Sequence, residues 1–485
     1  MRILVLTILM SCLDIAANAA TTDSVYICRD GVYECRLLEA GLELDMATDT
    51  HADSVTFSRP QTQVEVDFSQ FASRHQVKAV FIEAVGGQKL TTNTAMKPYT
   101  ASASTSSDVV KIDVEPGTTT VSTPIEPITH ISQGLNITLL YDQSKYITTT
   151  HPTPIRRVQN RFVCHYSIDE SQAMYGCWMA TLPSRMKMNM ITMPGSHDSA
   201  TSAVTTAMAK TQSLTIGSQL RAGARAFDLR PRYTASAESD ISLANLEIYH
   251  GMIATGVKWH DAMDTIIAFL TQNPTEAVYV NLQKENSSGG TDYSQMWRTS
   301  IRTYLQAHSQ YFLTRLTANT QLADCRGKIL LVSHNPYGAG TDYYATVYGA
   351  LTASWDDNAT FSTTLNYTNS TAICAATISD NYNTTDTSDK QAHILANLTA
   401  ASTDQTSRWF LTFANVAWHL FGNNPSHYAE IHNAYLHTLL SEAEDGSKRA
   451  LTGRLGIIFC DYIAADGYTP QLAADIIGQN YQYIY

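Results

Sequence analysis

Positive charge is what this chain has little of. Its 485 residues carry 32 Lys+Arg against 44 Asp+Glu, a formal net charge of -12 near neutrality. A nucleic-acid binder holds its target by neutralising phosphates with a basic surface, so nucleic acid is excluded as a partner. Charge of either sign is sparse: Asp, Glu, Lys and Arg make up 16% of the residues, below the roughly 25% of ordinary soluble domains. Ser, Thr and Asn fill the gap, a composition that leans extracellular. Long apolar runs are missing after the first twenty residues, which leaves no transmembrane segment in the body of the chain. The last ten residues, 476–485, also lack the hydrophobic tail that a lipid-anchor signal needs. Hydrophobic residues nevertheless reach 44% and aromatics 9%, too many for a disordered protein. At about 100–200 residues per domain, the length predicts two or three domains with real cores.

The apolar run that does exist is N-terminal. Arg2 precedes Ile3 to Leu9, and the stretch ends in Ala17-Asn18-Ala19, a small-x-small cleavage pattern. This predicts a signal peptide over residues 1–19 and a secreted, extracellular product. Its removal takes Cys12 from the eight cysteines and leaves an odd seven in an oxidising compartment. Cys28 and Cys35 flank a hairpin-like turn and are the first expected pair; Cys164 with Cys177 is the second, and Cys460 reads as a buried thiol. Glycosylation sequons stand at Asn136, Asn286, Asn358, Asn366, Asn369, Asn383 and Asn397.

From residue 20 to 150 short alternating runs such as Gln63–Phe68 and Val109–Val114 are separated by turn-rich segments, with hardly a helical period among them. This predicts a small all-β, sandwich-like accessory domain. Thr148 to Pro154 reads as a linker, and residues 151–485 as a second domain of alternating strands and helices. Expected strands are Met188–Met193, Ala226–Leu229, Leu246–Tyr249, Ala277–Leu282, Ile329–Val332, Trp409–Phe413 and Leu455–Phe459. Between them Trp259, Ala262, Met263, Ile266, Ile267 and Leu270 recur at helical spacing up to Asn273-Pro274. The fold class is therefore α/β, a distorted (β/α) TIM-type barrel, with a doubly wound sheet as the alternative.

Barrels gather reactive side chains at the C-terminal ends of their strands. The ionisable residues here fall at those ends: His197-Asp198 after the first, Asp228 and Arg230 at the second, His250 at the third, Lys284-Glu285 at the fourth and Asp461 at the last. One mouth would collect two imidazoles, a guanidinium and several carboxylates.

Met193-Pro194-Gly195-Ser196-His197-Asp198-Ser199, the run from Gln219 to Arg230, Tyr249-His250-Gly251 and Asn273-Pro274-Thr275-Glu276 occur in this order. Together they resemble the catalytic X domain of phosphatidylinositol-specific phospholipase C. The resemblance covers Met188 to Leu330 well and the rest of the second domain more weakly. It implies a phosphodiesterase of the barrel fold, with phosphatidylinositol-type lipid at a membrane surface as its partner. It implies that His197 is the base on the inositol 2-hydroxyl and His250 the acid for the diacylglycerol oxygen. Arg230 would grip the phosphate, Asp198 support the acid and Asp461 orient His197. Imidazoles suit both proton-transfer roles because they titrate near neutral pH.

The same resemblance implies substrate contacts at Asp228, Lys284, Glu285, Asp380, Tyr382 and His334. Calcium-dependent members hold their ion with acids at the second and fourth strand ends and an amide beside the first histidine. Here Asp198 stands at the amide position, Arg230 replaces one acid and Gln283 another, so the expectation is a site without cofactor or metal, calcium being the alternative. Gln283 also departs from the bacterial pattern, which carries a lysine there. Two other functions fit the same barrel: a metal-dependent glycerophosphodiester or sphingomyelin phosphodiesterase, and a non-catalytic carbohydrate- or lipid-binding module.

Overall fold

The computed structural model describes residues 23–29, 32–38, 43–44, 54–84, 90, 109–132, 135–142, 145–148, 155–158, 161–165, 175–234, 242–285, 294–337, 348–368, 371–418, 423–441, 451 and 453–484. The expected signal peptide, most of the expected linker and the sequons at Asn286 and Asn369 lie outside them. The chain divides into two compact units, one made of residues 1–96, 103–173 and 180–184, the other of the remainder.

Among its described residues the first unit has two sheets, one of seven strands and one of four, and one short helix at Ser69–Ala72. Period-two alternation explains the layering: along Ser54–Asp67 and into the next residue, Val64, Val66 and Phe68 point inward and are fully buried. They share one core with Val80 and Ile82 of Val77–Ala84 and with Leu135, Ile137 and Leu139 of Leu135–Tyr141, in the other sheet. The sheet does not stop at residue 150. Strands Ile155–Val158 and Arg161–His165 return to it, the latter parallel to Gln63–Asp67, so the domain break falls after His165 and not at the proline-rich stretch.

The second unit is a closed barrel of nine strands: Met193–Ser196, Ala226–Leu229, Ala277–Leu282, Lys328–Ser333, Ala350–Thr352, Thr360–Thr368, Thr371–Ser379, Trp409–Phe413 and Ile457–Cys460. All neighbours are parallel except at Thr360–Thr368, which runs antiparallel to both flanking strands. This reversal is the distortion, and it lies in the Thr/Asn-rich stretch where no strand was expected. Two other expectations need correction. Met188–Met190 is a 3-10 turn, and the first strand begins at Met193. Leu246–His250 is the middle strand of a separate antiparallel sheet, between Pro231–Tyr233 and Ile253–Lys258. Helix Trp259–Gln272 ends at Asn273 as its periodicity predicts, burying Trp259, Ala262, Met263 and Ile266.

Gly195 is required by close approach: a Cβ there would lie 2.9 Å from the Phe459 ring and 3.2 Å from Ala226 Cβ. The first strand can thus tuck between its neighbours and deliver His197 to the barrel mouth. The Arg225 and Glu276 side chains, at the foot of the second and third strands, form a fully buried ion pair at 2.9 Å. These two motif residues serve the scaffold.

Cys177 is buried and belongs to the second unit, while its expected partner Cys164 belongs to the first, with its side chain outside the described residues. Cys460 is a buried free thiol, as expected. Register sets Cys28 opposite Tyr33 and Cys35 opposite Tyr26, so these cysteines are diagonal neighbours; their side chains lie outside the described residues. Asn397 is 2% exposed and spends its amide on Leu411 O and Thr412 Oγ1, and Asn366 is 5% exposed. Neither sequon can carry a glycan in the folded chain. Among the described residues no helix is long and apolar enough to cross a membrane.

Candidate active site

Strand ends Ser196, Leu229 and Cys460 place His197, Arg230 and Asp461 around one mouth, and the outlying sheet brings His250 over it. The cleft holds about 260 Å³ and is lined by His197, His250, Arg230, Glu285, Asp380 and Tyr382, among others. The backbone after the first strand is bent to suit: His197 N–H donates to Cys460 O, and Asp198 sits at φ +40°. That left-handed conformation costs about 1–2 kcal/mol in a residue with a Cβ, least in Asp and Asn. Here it is held by Asp198 N–H donating to Asp228 Oδ2 at 3.3 Å.

The two imidazoles are anchored through Nδ1. His197 Nδ1 donates to Asp461 Oδ1 at 2.7 Å, and His250 Nδ1 donates to Ala209 O at 2.9 Å. Their Nε2 atoms converge on the same oxygen, Asp198 Oδ2, at 3.2 and 3.4 Å. Asp198 therefore touches both rings, where the resemblance implied only the acid. Burial alone would depress His197, but the carboxylates of Asp198 and Asp461 outweigh it and push the ring up to about 9. Burial raises the Asp461 carboxyl, and His197 pulls it back.

Arg230 completes the cluster. Its Nε lies 3.2 Å from Asp198 Oδ1, and a terminal nitrogen donates to Asp228 Oδ2 at 2.7 Å. Against its burial, Arg230 and then His197 hold Asp228 down to about 2. Asp198 and Asp228 hold Arg230 charged in return. His197, Asp198 and Asp228 offer donor atoms within 4.8 Å of one another, the geometry of a cation site. The guanidinium is already there, however, and its contacts use both carboxylates. This donor set does not fit a divalent ion beside Arg230.

The expected substrate contacts separate into two groups. Glu285, Asp380 and Tyr382 line the cleft. Burial pushes Glu285 up to about 7, with Arg230 opposing, and burial likewise raises Asp380. Asp380 accepts Trp355 Nε1–H at 3.1 Å, and Tyr382 OH donates to Asp357 Oδ1 at 2.6 Å. Lys284, Asp228 and His334 do not line it. Alternation along the strand end turns Lys284 away, and its Nζ donates to Ser294 Oγ at 2.7 Å. Asp228 is fully buried behind Arg230. His334 is stacked behind Trp355, with ring centroids 3.8 Å apart. Residues that sequence reasoning missed are Trp355, Asp357 and Asn415 of the cleft wall and Asn281 beneath it. Asn281 left a signal, a lone amide inside the apolar strand Ala277–Leu282. Trp355 left none.

Over 314 residues the chain is 28% identical to a 1-phosphatidylinositol phosphodiesterase of Staphylococcus aureus, an alignment spanning 62% of this chain and 93% of the relative. The chain is homologous to the bacterial phosphatidylinositol phosphodiesterases. A second such homologue, from Listeria monocytogenes, is 32% identical over 170 residues, 33% of this chain and 48% of the relative. The human PI-PLC X domain-containing protein 2 is 34% identical over 135 residues, 21% of this chain and 42% of the relative. A solved structure of the Staphylococcus aureus phosphatidylinositol-specific phospholipase C superposes with a TM-score of 0.51 at 26% identity, covering 63% of this chain and 97% of the other. No family model matches the chain. The homology agrees with the barrel fold.

Proposed function

We propose that the chain is a secreted phosphodiesterase that cleaves phosphatidylinositol-type lipids to diacylglycerol and inositol 1,2-cyclic phosphate. The observation that carries this reading is the convergence of two anchored imidazoles and one guanidinium on a single cleft. His197 Nε2 takes the proton of the inositol 2-hydroxyl, whose oxygen then bonds to phosphorus. The bond from phosphorus to the diacylglycerol oxygen breaks, and His250 Nε2 delivers a proton to that oxygen. With Nδ1–H of each ring spent on Asp461 or Ala209, Nε2 is the nitrogen free to exchange protons. Arg230 is one-fifth exposed at its side chain and meets the phosphoryl oxygens with a planar fork of donors. Asp198 sits between the rings and keeps both Nε2 atoms in register.

No metal enters this chemistry: Arg230 supplies the positive charge, which weighs against the metal-dependent glycerophosphodiester and sphingomyelin readings. Asp380, Tyr382 and Glu285 offer acceptors and a ring face to the inositol hydroxyls. Met252, 73% exposed, and Trp418, 37% exposed, follow the cleft-lining Gly251 and Ala417, which suits a mouth that meets a lipid surface. No described residue of the all-β unit lines the cleft, and the unit is read as an accessory domain.

The test is turnover by His197→Ala and His250→Ala on a soluble inositol phosphodiester. Each is expected to lose at least about a hundredfold in kcat while remaining folded at the assay temperature. A near-normal rate in either variant defeats the two-histidine mechanism.

A further inference from the structure

His334 was expected to touch inositol, and it does not line the cleft. Its surroundings give it another task. Asp228, held ionised by Arg230, can only accept, so the Asn281 amide must turn its Nδ2–H₂ toward Asp228 Oδ1, which it meets at 3.0 Å. Asn281 Oδ1 is then left facing His334 Nε2 at 2.9 Å. An amide oxygen cannot donate, so His334 must carry its proton on Nε2. The direction of every bond in this row is fixed by the carboxylate at its end. Burial depresses His334 to about 3, so the ring stays neutral and its tautomer is the one the row dictates.

The other face of the ring leads elsewhere. His334 lies against Trp355, with ring centroids 3.8 Å apart and planes at 25°. Trp355 Nε1–H donates to Asp380 Oδ2 at 3.1 Å, and both Trp355 and Asp380 line the cleft. Among the described residues, His334 joins the row ending at Arg230 to the wall ending at Asp380.

We infer that His334 is a positioning residue that links the phosphate grip to the inositol wall. Through Asn281 and Asp228 it fixes where the Arg230 guanidinium stands, and through Trp355 it fixes the face that Asp380 presents to the ring. The inference rests on the phosphodiesterase reading for its functional consequence, and on geometry alone for its structural one.

Two substitutions separate the two arms. His334→Phe keeps a ring against Trp355 and removes the Nε2–H; His334→Gln keeps an N–H able to reach Asn281 Oδ1 and removes the stacking ring. On a soluble inositol phosphodiester, His334→Phe is expected to lower kcat about tenfold, the worth of one buried hydrogen bond to a charged row, with KM changed less than about threefold. His334→Gln is expected to raise KM several-fold and hold kcat within about threefold. A general loss of folding would not divide kcat from KM in opposite ways. Unchanged kcat in His334→Phe, or the same response from both variants, overturns the inference.

A second measurement needs no activity. Nitrogen NMR of the unsubstituted chain should show His334 as a neutral Nε2–H ring from about pH 7 down to about pH 5. A charged ring or an Nδ1–H tautomer in that range overturns the relay even if the chain hydrolyses no lipid. Absence of turnover by the unsubstituted chain, with that tautomer present, would count against the proposed function and leave the relay standing.

Discussion

Replacing Asp461 by Asn should move the pH at which the enzyme becomes active. His197 must be unprotonated to act as a base, yet its two carboxylate neighbours raise it from 6.5 to about 9. A tenfold change in proton affinity corresponds to about 1.4 kcal/mol, so the site favours the protonated ring by about 3 kcal/mol. That preference is a net of two carboxylates working against burial, so losing one carboxylate removes a large part of it. At an effective dielectric of about 20, one unit charge about 4 Å away is worth about 4 kcal/mol. Removing Asp461, 2.7 Å from Nδ1, should therefore weaken proton binding by His197 at least about tenfold and move its pKa down from about 9.

The sign is definite. In the unsubstituted enzyme kcat/KM should rise with pH along a limb centred near 9, because it reports the free enzyme. In Asp461→Asn the limb should move toward neutral pH while the plateau falls about a hundredfold, since an amide neither orients the ring as firmly nor stabilises its charge. The assay is kcat/KM on a soluble inositol phosphodiester from about pH 5 to about pH 10, a range that spans both limbs. An unmoved limb would show that Asp461 does not set the His197 proton affinity, and an undiminished plateau that it does not support the base.

Arg230→Lys should lower kcat/KM at least about tenfold at unchanged stability, because an ammonium cannot contact Asp198 and Asp228 and still present two parallel donors to phosphate; a steady-state assay beside a melting curve checks it. Glu276→Gln should destabilise the barrel by about 3–5 kcal/mol, measured by urea unfolding, because it removes the carboxylate that meets the fully buried Arg225 guanidinium at 2.9 Å. Replacing both by apolar residues of similar size should recover most of that loss.

Much of the barrel was legible because its strands are short apolar runs ending in charged residues, and parallel strands buried on both faces must read that way. The placing of His197, Arg230 and Asp461 at one barrel mouth was legible for the same reason. His250 reaches the cleft from a different element than expected: Leu246–His250 has the burial pattern of a half-covered strand, and nothing local tells an outlying sheet from a barrel strand. The antiparallel Thr360–Thr368 was hidden by its Ser, Thr and Asn content, which reads as a loop when charge and hydrophobicity are both low. Lys284 and His334 were misassigned because sequence places a residue at a strand end and leaves its direction open. Only packing sends Lys284 to Ser294 and His334 behind Trp355. The strands beyond residue 154 were missed because a proline-rich stretch signals a break in local structure, and here the chain afterwards rejoins the same sheet.

Cleavage of an inositol phospholipid by two histidines and an arginine, without metal, is tested most directly by one measurement. The full chain is incubated with phosphatidylinositol vesicles in excess chelator, and the water-soluble product is followed by phosphorus NMR. The expected result is a cyclic inositol phosphate signal that grows at the same rate with and without chelator. Complete inhibition by chelator, reversed by added calcium, would contradict it, as would phosphate release with no cyclic intermediate.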